Sequence, residues 1–198
     1  MKKLAYLIIL LLFVPTIVFA SSFDITADKV ILYNLNDDTI LYEQNSNEQT
    51  NIASLTKIMT ALVAIENIDD YDEYVTITAK DFEGTNGYSK AGFSIGDQVT
   101  YRDLLYGILL PSGADAVNAI VNNTLGYDAF IDAMNNKAQE IGLENTSFSN
   151  PVGKDATDNY STASDIAKLL KYALQNELFK EIFTTKEYIT SNLSLIHI

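Results

Sequence analysis

Apolar and polar residues follow one another in regular patterns along the chain, and the first of these predicts a β-hairpin followed by a helix. The runs Lys29–Tyr33 and Thr39–Glu43 are rich in β-branched and aromatic residues, and a short, mostly polar segment separates them. Two such runs joined by a polar turn favour an antiparallel pair of strands. From Ile52 to Glu66 apolar residues recur at intervals of three and four, which predicts a largely buried helix.

The remainder of the chain predicts shorter elements separated by turns. In chain order these are a strand over 74–78, an irregular glycine-rich segment over 84–96, a helix over 128–141 and a helix over 163–176. Gly142 would end the first of these two helices. Either Thr162 or Ser164 would cap the second, and the sequence leaves both open.

Two capping-box spacings predict where consecutive helices begin. Thr100 and Asp103 lie three residues apart before an apolar run, which predicts a helix that extends through Leu110. After the proline that ends this helix, Ser112 and Asp115 repeat the spacing and predict the next one. Ser112 therefore has a purely structural interpretation, as a helix cap, beside any chemical one.

Residues 1–20 have the pattern of a secretory signal peptide. A short basic start precedes an almost wholly apolar stretch, and small residues follow it at the usual cleavage positions before Ser21. The alternative is an uncleaved anchor, but the stretch is interrupted by Pro15 and is shorter than the ~20 residues of a spanning helix. We expect export and cleavage, with residues 21–198 forming one domain that works outside the cytoplasm.

Composition and charge exclude several classes of function. The formal net charge of −13 would repel a phosphate backbone and disfavours a nucleic-acid partner. The absence of cysteine excludes disulfides, thiolate zinc sites and a cysteine nucleophile. The single histidine, His197, is one residue from the end of the chain, which disfavours a serine–histidine or histidine–metal mechanism. We therefore expect no metal site built on cysteine or histidine.

The strongest candidate chemistry is Ser54, three residues before Lys57 near the start of the apolar helix. Positions i and i+3 share a helix face, so the hydroxyl and the amine can come within hydrogen-bond reach. A helix N-terminus stabilises a developing oxyanion, and an apolar surrounding would disfavour the ammonium form and make Lys57 a base. Taken alone, the spacing is a weak signal, because a capping serine followed by a solvated lysine has the same pattern.

The wider context of this pair carries a family resemblance over roughly residues 24–190. The segments concerned, in chain order, are Asn51–Leu62, Asp103–Ala116, Met134–Gly153 and Tyr160–Ala167. Together they resemble the penicillin-binding D-alanyl-D-alanine carboxypeptidases, the low-molecular-mass serine peptidases of bacterial cell walls. The resemblance implies a β-lactamase/transpeptidase-like α/β (α+β) fold, in which a helical region packs on an antiparallel sheet.

The same resemblance implies roles for individual residues. Ser54 would be the nucleophile that forms an acyl-enzyme, Lys57 its base, and Ser112 a relay for the proton of the leaving amine. Ala114 and Gly153 would border the bound substrate. The implied substrate is a peptidoglycan stem peptide ending in D-Ala-D-Ala, and β-lactams would react covalently with Ser54. The implied mechanism requires no metal and no cofactor.

Two departures from the family pattern matter. Ala114 stands where the second motif, Ser-x-Asn, has asparagine, which removes an amide able to bond the lysine and the substrate. The third motif, Lys-Thr-Gly, does not occur in the 198 residues. We therefore expect a chain truncated before that motif, with incomplete sheet strands and little activity. A membrane anchor of the parent, if it has one, would lie in that missing C-terminal region.

These departures keep two rival functions open: a non-catalytic, cell-wall-binding pseudoenzyme, and a β-lactamase of the same fold. A truncated sheet would also leave apolar faces of the hairpin and of helix 52–66 partly uncovered. Two strands alone are marginally stable. We therefore expect poor solubility or partial unfolding of the isolated chain.

Overall fold

Residues 25–198 are described by the computed structural model. The predicted signal peptide, residues 1–20, lies outside the described residues. The strands, in chain order, are β1 (Val30–Asn34), β2 (Thr39–Gln44), β3 (Tyr74–Thr76), β4 (Gln98–Thr100), β5 (Glu187–Ile189) and β6 (Leu195–His197). The helices are α1 (Thr56–Asn67), α2 (Tyr101–Leu109), α3 (Ala114–Asn123), α4 (Tyr127–Ile141), α5 (Ala163–Ala173) and α6 (Glu177–Thr184), with 3-10 turns at Ala53–Leu55 and Ala79–Phe82.

Helix α1 is the centre of the hydrophobic core. Every residue from Thr56 to Ile65 is buried, because helices α2 to α6 all pack against α1. The expectation that this helix would be left partly uncovered is therefore wrong for α1 itself. Only Leu55, in the 3-10 turn before it, is an exposed large apolar residue of this segment. The helices supply enough apolar surface to cover α1 without further strands.

The predicted hairpin is present, and one of its strands is uncovered as expected. β1 pairs with β2 in antiparallel register, and β1 contacts α5. In β2, by contrast, every residue before Gln44 is exposed, including Ile40 and Leu41. Sheet formation within residues 25–198 is limited to three separate two-stranded pairs, β1–β2, β3–β4 and β5–β6.

Most of the predicted helix boundaries are confirmed. Thr100 and Asp103 form the predicted capping box of α2, with each side chain accepting the other residue's N–H. Gly142 ends α4 in the left-handed conformation, at φ +78°. Thr162, not Ser164, caps α5, because its hydroxyl accepts the N–H of Asp165 at 3.0 Å.

The predicted cap of α3 by Ser112 is wrong. The N-cap residue is Gly113, which has no side chain to accept a hydrogen bond. Ser112 itself turns to a positive φ of 60°, a conformation unusual for a residue with a Cβ. Its hydroxyl is buried and makes no hydrogen bond within the described residues. The left-handed turn therefore directs Ser112 away from the capping position.

The end of the described chain forms an ordered hairpin that the apolar pattern did not predict. β5 pairs with β6, and Ile196 of β6 is buried in the core. Tyr188 stacks on Tyr106 with ring centroids 3.6 Å apart, and its hydroxyl donates to Asp103 at 3.0 Å. None of the helices within residues 25–198 is both long enough and apolar enough to cross a bilayer.

Candidate active site

Ser54 and Lys57 are brought together at the start of the central helix. Ser54 lies in the 3-10 turn that precedes α1, and Lys57 lies in the first turn of α1 itself. The Lys57 amine donates a hydrogen bond to Ser54 Oγ at 3.1 Å. The sequence prediction placed these two groups within reach of each other, and they are in direct contact.

Lys57 is buried without a counter-charge. Its side chain is 3% exposed, and its other hydrogen bond is to the backbone carbonyl of Val152 at 2.7 Å. It makes no salt bridge to any carboxylate within residues 25–198. Desolvation by burial lowers the pKa of Lys57 from 10.5 to about 8. Roughly a tenth of the amine is therefore neutral at pH 7, which is the form that can accept a proton.

Val152 belongs to a loop that several contacts hold against α1. The Thr60 hydroxyl donates to the carbonyl of Pro151 at 2.7 Å, one turn along from Lys57. The buried Asn150 side chain accepts the N–H groups of Gly153 and Lys154 at 2.8 and 2.7 Å. These hydrogen bonds fix the position of the Val152 carbonyl, which accepts a hydrogen bond from Lys57. Asn150 was missed in the sequence, although an asparagine before proline in a loop is a turn signal.

Gly153 lies against the backbone of the candidate nucleophile. Its φ is +84°, and a Cβ built at this position would be 2.0 Å from the carbonyl oxygen of Ala53 and 3.0 Å from Ser54 N. A side chain at residue 153 is therefore excluded by contact as well as by conformation. Ala53 has φ +45°, so the residue before Ser54 is also held in an unusual conformation.

Ser54 opens onto a cleft of about 440 Å³. Its other walls are formed by two segments, Gly87–Ser89 and Gly153–Asp155. The hydroxyl of Ser54 is thus accessible while the amine that contacts it is buried. This arrangement suits attack by a serine oxygen on a substrate held in the cleft.

Two further predicted site residues lie near the start of α3. Ser112 Oγ is not hydrogen-bonded to Lys57. Ala114 is buried, and its N–H donates to the carbonyl of Ser89, a residue of the cleft wall, at 2.9 Å. Ala114 therefore lies behind the cleft wall. The roles of Ser112 in proton relay and of Ala114 in substrate binding stay predictions.

Comparison with known proteins agrees with the resemblance that the sequence motifs indicate. A family model described as D-alanyl-D-alanine carboxypeptidase (Peptidase S11) matches residues 16–195. The carboxypeptidase DacF of Bacillus subtilis (strain 168) is 34% identical over 170 residues, which cover 84% of this chain and 44% of that protein. The chain spans 44% to 59% of the length of three such curated relatives.

Solved structures agree with the sequence comparison. The Streptomyces K15 DD-transpeptidase superposes with a TM-score of 0.78 at 33% identity, over 89% of this chain and 74% of that one. Penicillin binding protein 5 from Haemophilus influenzae superposes with a TM-score of 0.80 at 27% identity, over 89% of this chain and 53% of that one. The predicted fold class is therefore confirmed.

Proposed function

Because the chain belongs to the D-alanyl-D-alanine carboxypeptidase family of serine peptidases, we propose that it removes the terminal D-alanine from peptidoglycan stem peptides. The observation that carries this proposal is the contact of 3.1 Å between the buried amine of Lys57 and the accessible hydroxyl of Ser54. A serine is a weak nucleophile unless a base takes its proton, and the lowered pKa of Lys57 provides one.

The proposed reaction is acyl transfer in two steps. Neutral Lys57 accepts the hydroxyl proton while Ser54 Oγ bonds to the carbonyl carbon of the penultimate D-alanine. The backbone N–H of Ser54 stabilises the oxyanion. The peptide bond then breaks, and the leaving D-alanine takes a proton from Lys57, with Ser112 as the relay. Water finally attacks the ester on Ser54, which releases the shortened peptide and restores the hydroxyl.

A β-lactam would enter the same first step. Its strained amide presents a carbonyl carbon to Ser54, and ring opening leaves the acyl group attached to the serine without a departing fragment. We therefore propose β-lactams as covalent inhibitors of this chain. The structural similarity to penicillin binding protein 5 from Haemophilus influenzae supports this.

A non-catalytic wall-binding protein is the second candidate, and two observations favour it. Ala114 cannot supply the amide that the family motif has at this position. Ser112 Oγ has no hydrogen-bond partner within the described residues, so the relay is not assembled in this conformation.

We also propose that the protein is exported and acts outside the cytoplasmic membrane. The support is the leader-like pattern of residues 1–20 and the location of cell-wall peptides.

Release of D-alanine from a peptide ending in D-Ala-D-Ala, measured on the purified 198-residue chain and on Ser54→Ala, tests the proposal. Labelling by a fluorescent penicillin is measured in parallel, because acylation is visible even where turnover is slow. We expect labelling and only slow release from wild type, because the third motif is absent from these 198 residues, and neither from Ser54→Ala. Equal labelling of both would remove Ser54 from the mechanism. Binding of wall fragments with no labelling of wild type would establish the non-catalytic alternative.

A further inference from the structure

One wall of the Ser54 cleft is a segment without regular secondary structure. Gly87, Tyr88 and Ser89 line the cleft, yet they belong to the irregular stretch between the 3-10 turn ending at Phe82 and strand β4. A wall that contacts a substrate must keep its position if the substrate is to meet Ser54 in a reactive geometry. Some other element must therefore hold this segment.

Two hydrogen bonds connect the segment to the first turn of α3. The N–H of Ala114 donates to the carbonyl of Ser89 at 2.9 Å. The N–H of Ala91 donates to Asp115 Oδ1 at 2.7 Å. The carboxylate of Asp115 is 1% exposed, so this contact is shielded from competing water.

Glycines leave Ala91 little freedom to move. A Cβ built at Gly113 would be 2.7 Å from the N of Ala91, and one built at Gly107 would be 2.9 Å from the Cβ of Ala91. These distances are below normal van der Waals contact, so the backbone around Ala91 packs directly on α2 and on the turn before α3. The Asp115 hydrogen bond is the side-chain contact that fixes Ala91 in this space.

The second carboxylate oxygen of Asp115 is a buried polar atom. Asp115 Oδ2 makes no hydrogen bond, and Ser112 Oγ is the other buried side-chain polar atom in residues 25–198 of which this is true. A carboxylate buried with one oxygen unsatisfied is costly, since its desolvation is only partly compensated. Asp115 is not the N-cap residue of α3, which is Gly113, but its carboxylate lies in the first turn of the helix, where the helix dipole favours a negative charge.

We propose that Asp115 is a positioning residue for acylation: through Ala91 it holds Tyr88 and Ser89 in the cleft wall that faces the substrate. Asp115 itself touches neither substrate nor Ser54. The contact between Asp115 and Ala91 exists in the free protein and does not depend on the proposed function. Only its expected effect on acylation rests on that function. Its loss would let the wall move and weaken ligand binding, while the Ser54–Lys57 contact, held by Val152 and the loop around it, would persist.

The test compares Asp115→Ala and Asp115→Asn with a matched control, Asp165→Ala. Asp165 is also buried in the first turn of a helix, α5, and also accepts a backbone N–H, that of Asn145 at 2.8 Å. Two quantities are measured: hydrogen exchange of the peptides that cover residues 84–92, and the kinetics of acylation by a fluorescent penicillin at increasing concentration.

We expect Asp115→Ala to accelerate exchange in 84–92 and to lower the second-order rate constant of acylation about tenfold, less than the roughly hundredfold loss that a direct misplacement of the reacting groups by about 1 Å can cause. Most of the loss should lie in the half-saturating concentration, with the limiting rate constant nearly unchanged. Asp115→Asn should restore both, because the amide oxygen still accepts from Ala91. Asp165→Ala should change neither, whatever its effect on the melting temperature.

Unchanged exchange in 84–92 for Asp115→Ala would overturn the inference, as would equal losses of acylation in Asp115→Ala and Asp165→Ala. Should Asp115→Ala fail to fold, Asp115→Ser decides instead, because its shorter side chain does not reach Ala91 N: faster exchange in 84–92 with slower acylation supports the inference, and wild-type values of both contradict it. Failure of wild type to react with penicillin would refute the proposed function. The exchange comparison would still decide the role of Asp115 in holding the wall.

Discussion

At the scale of single residues, the chemistry of the site follows from what surrounds the Lys57 amine. Its two contacts are a hydroxyl and a backbone carbonyl, and neither compensates a buried positive charge as a carboxylate would. The unfolded chain binds this proton with a pKa near 10.5, and the folded protein with one of about 8. The resulting cost to stability is fully present below pH 8 and is relieved as the pH rises toward 10.5.

Gly153 is the second residue on which the site depends, because its contact with Ala53 O leaves no space for a Cβ. We predict that Gly153→Ala displaces the Ala53–Ser54 backbone and lowers the rate constant of penicillin acylation by about a hundredfold. Stopped-flow fluorescence measures this rate constant.

Gly142→Ala is the matched control for that prediction. Gly142 has a similar φ of +78°, but no atom lies within 4 Å of a Cβ built there. This variant should lose only about 1 kcal/mol of stability, the conformational cost alone, and acylate at the wild-type rate. Equal rates for both variants would contradict the assigned contact at Gly153.

Sequence reasoning at this scale succeeded where the interacting residues are close in the chain. Ser54 and Lys57 are three residues apart, so helix geometry brings them together. Val152 is 95 residues from Lys57, and no local pattern could predict that its carbonyl would contact the amine. Ser112 has the spacing of a cap but not the backbone conformation, which depends on the packing of Gly113 against Ala91 and Gly107.

At the scale of elements, an N-cap hydrogen bond stabilises the start of α5. Its N-cap hydroxyl, that of Thr162, is buried and accepts the N–H of Asp165. We predict that Thr162→Ala lowers the free energy of unfolding by about 1 kcal/mol, as the loss of a cap does. Ser164→Ala should change it by less than about 0.5 kcal/mol, because the Ser164 hydroxyl is not the cap. Chemical denaturation measures both values, and the opposite order would refute the assignment.

Helices could be predicted better than strands, because the periodic pattern of apolar residues in a helix is longer and lies within one segment of the chain. The periodicity from Ile52 to Glu66 extends over about four turns, whereas β4 has only three residues and exists because it pairs with β3. The β5–β6 pair was missed for the same reason, and α6 because it is only eight residues long.

At the scale of the whole molecule, the apolar surface is distributed unevenly. The α1 core is enclosed, yet β2 exposes Ile40 and Leu41 at 51% and 61%, beside an apolar groove of about 520 Å³ between β1 and α5. This groove is larger than the Ser54 cleft, but it does not contain the Ser54–Lys57 pair. An exposed apolar strand can pair with another copy of itself.

We therefore predict that the chain self-associates through β2 as its concentration rises. The double variant Ile40→Thr, Leu41→Thr should reduce this association in sedimentation velocity and change the unfolding free energy by less than about 0.5 kcal/mol. Ile189→Thr, which alters an equally exposed apolar residue on β5, serves as the control and should leave association unchanged. Association unaffected by the double variant would exclude β2 as the contact surface.

The proposed mechanism requires that a neutral Lys57 activates Ser54, and this requirement is tested by the pH dependence of acylation. The rate constant for labelling of Ser54 by a fluorescent penicillin is measured from about pH 6 to about pH 10, with Ser54→Ala as the blank. We predict a rise of about tenfold per pH unit that levels off above a pKa of about 8. A rate constant that is independent of pH over this range would exclude Lys57 as the base.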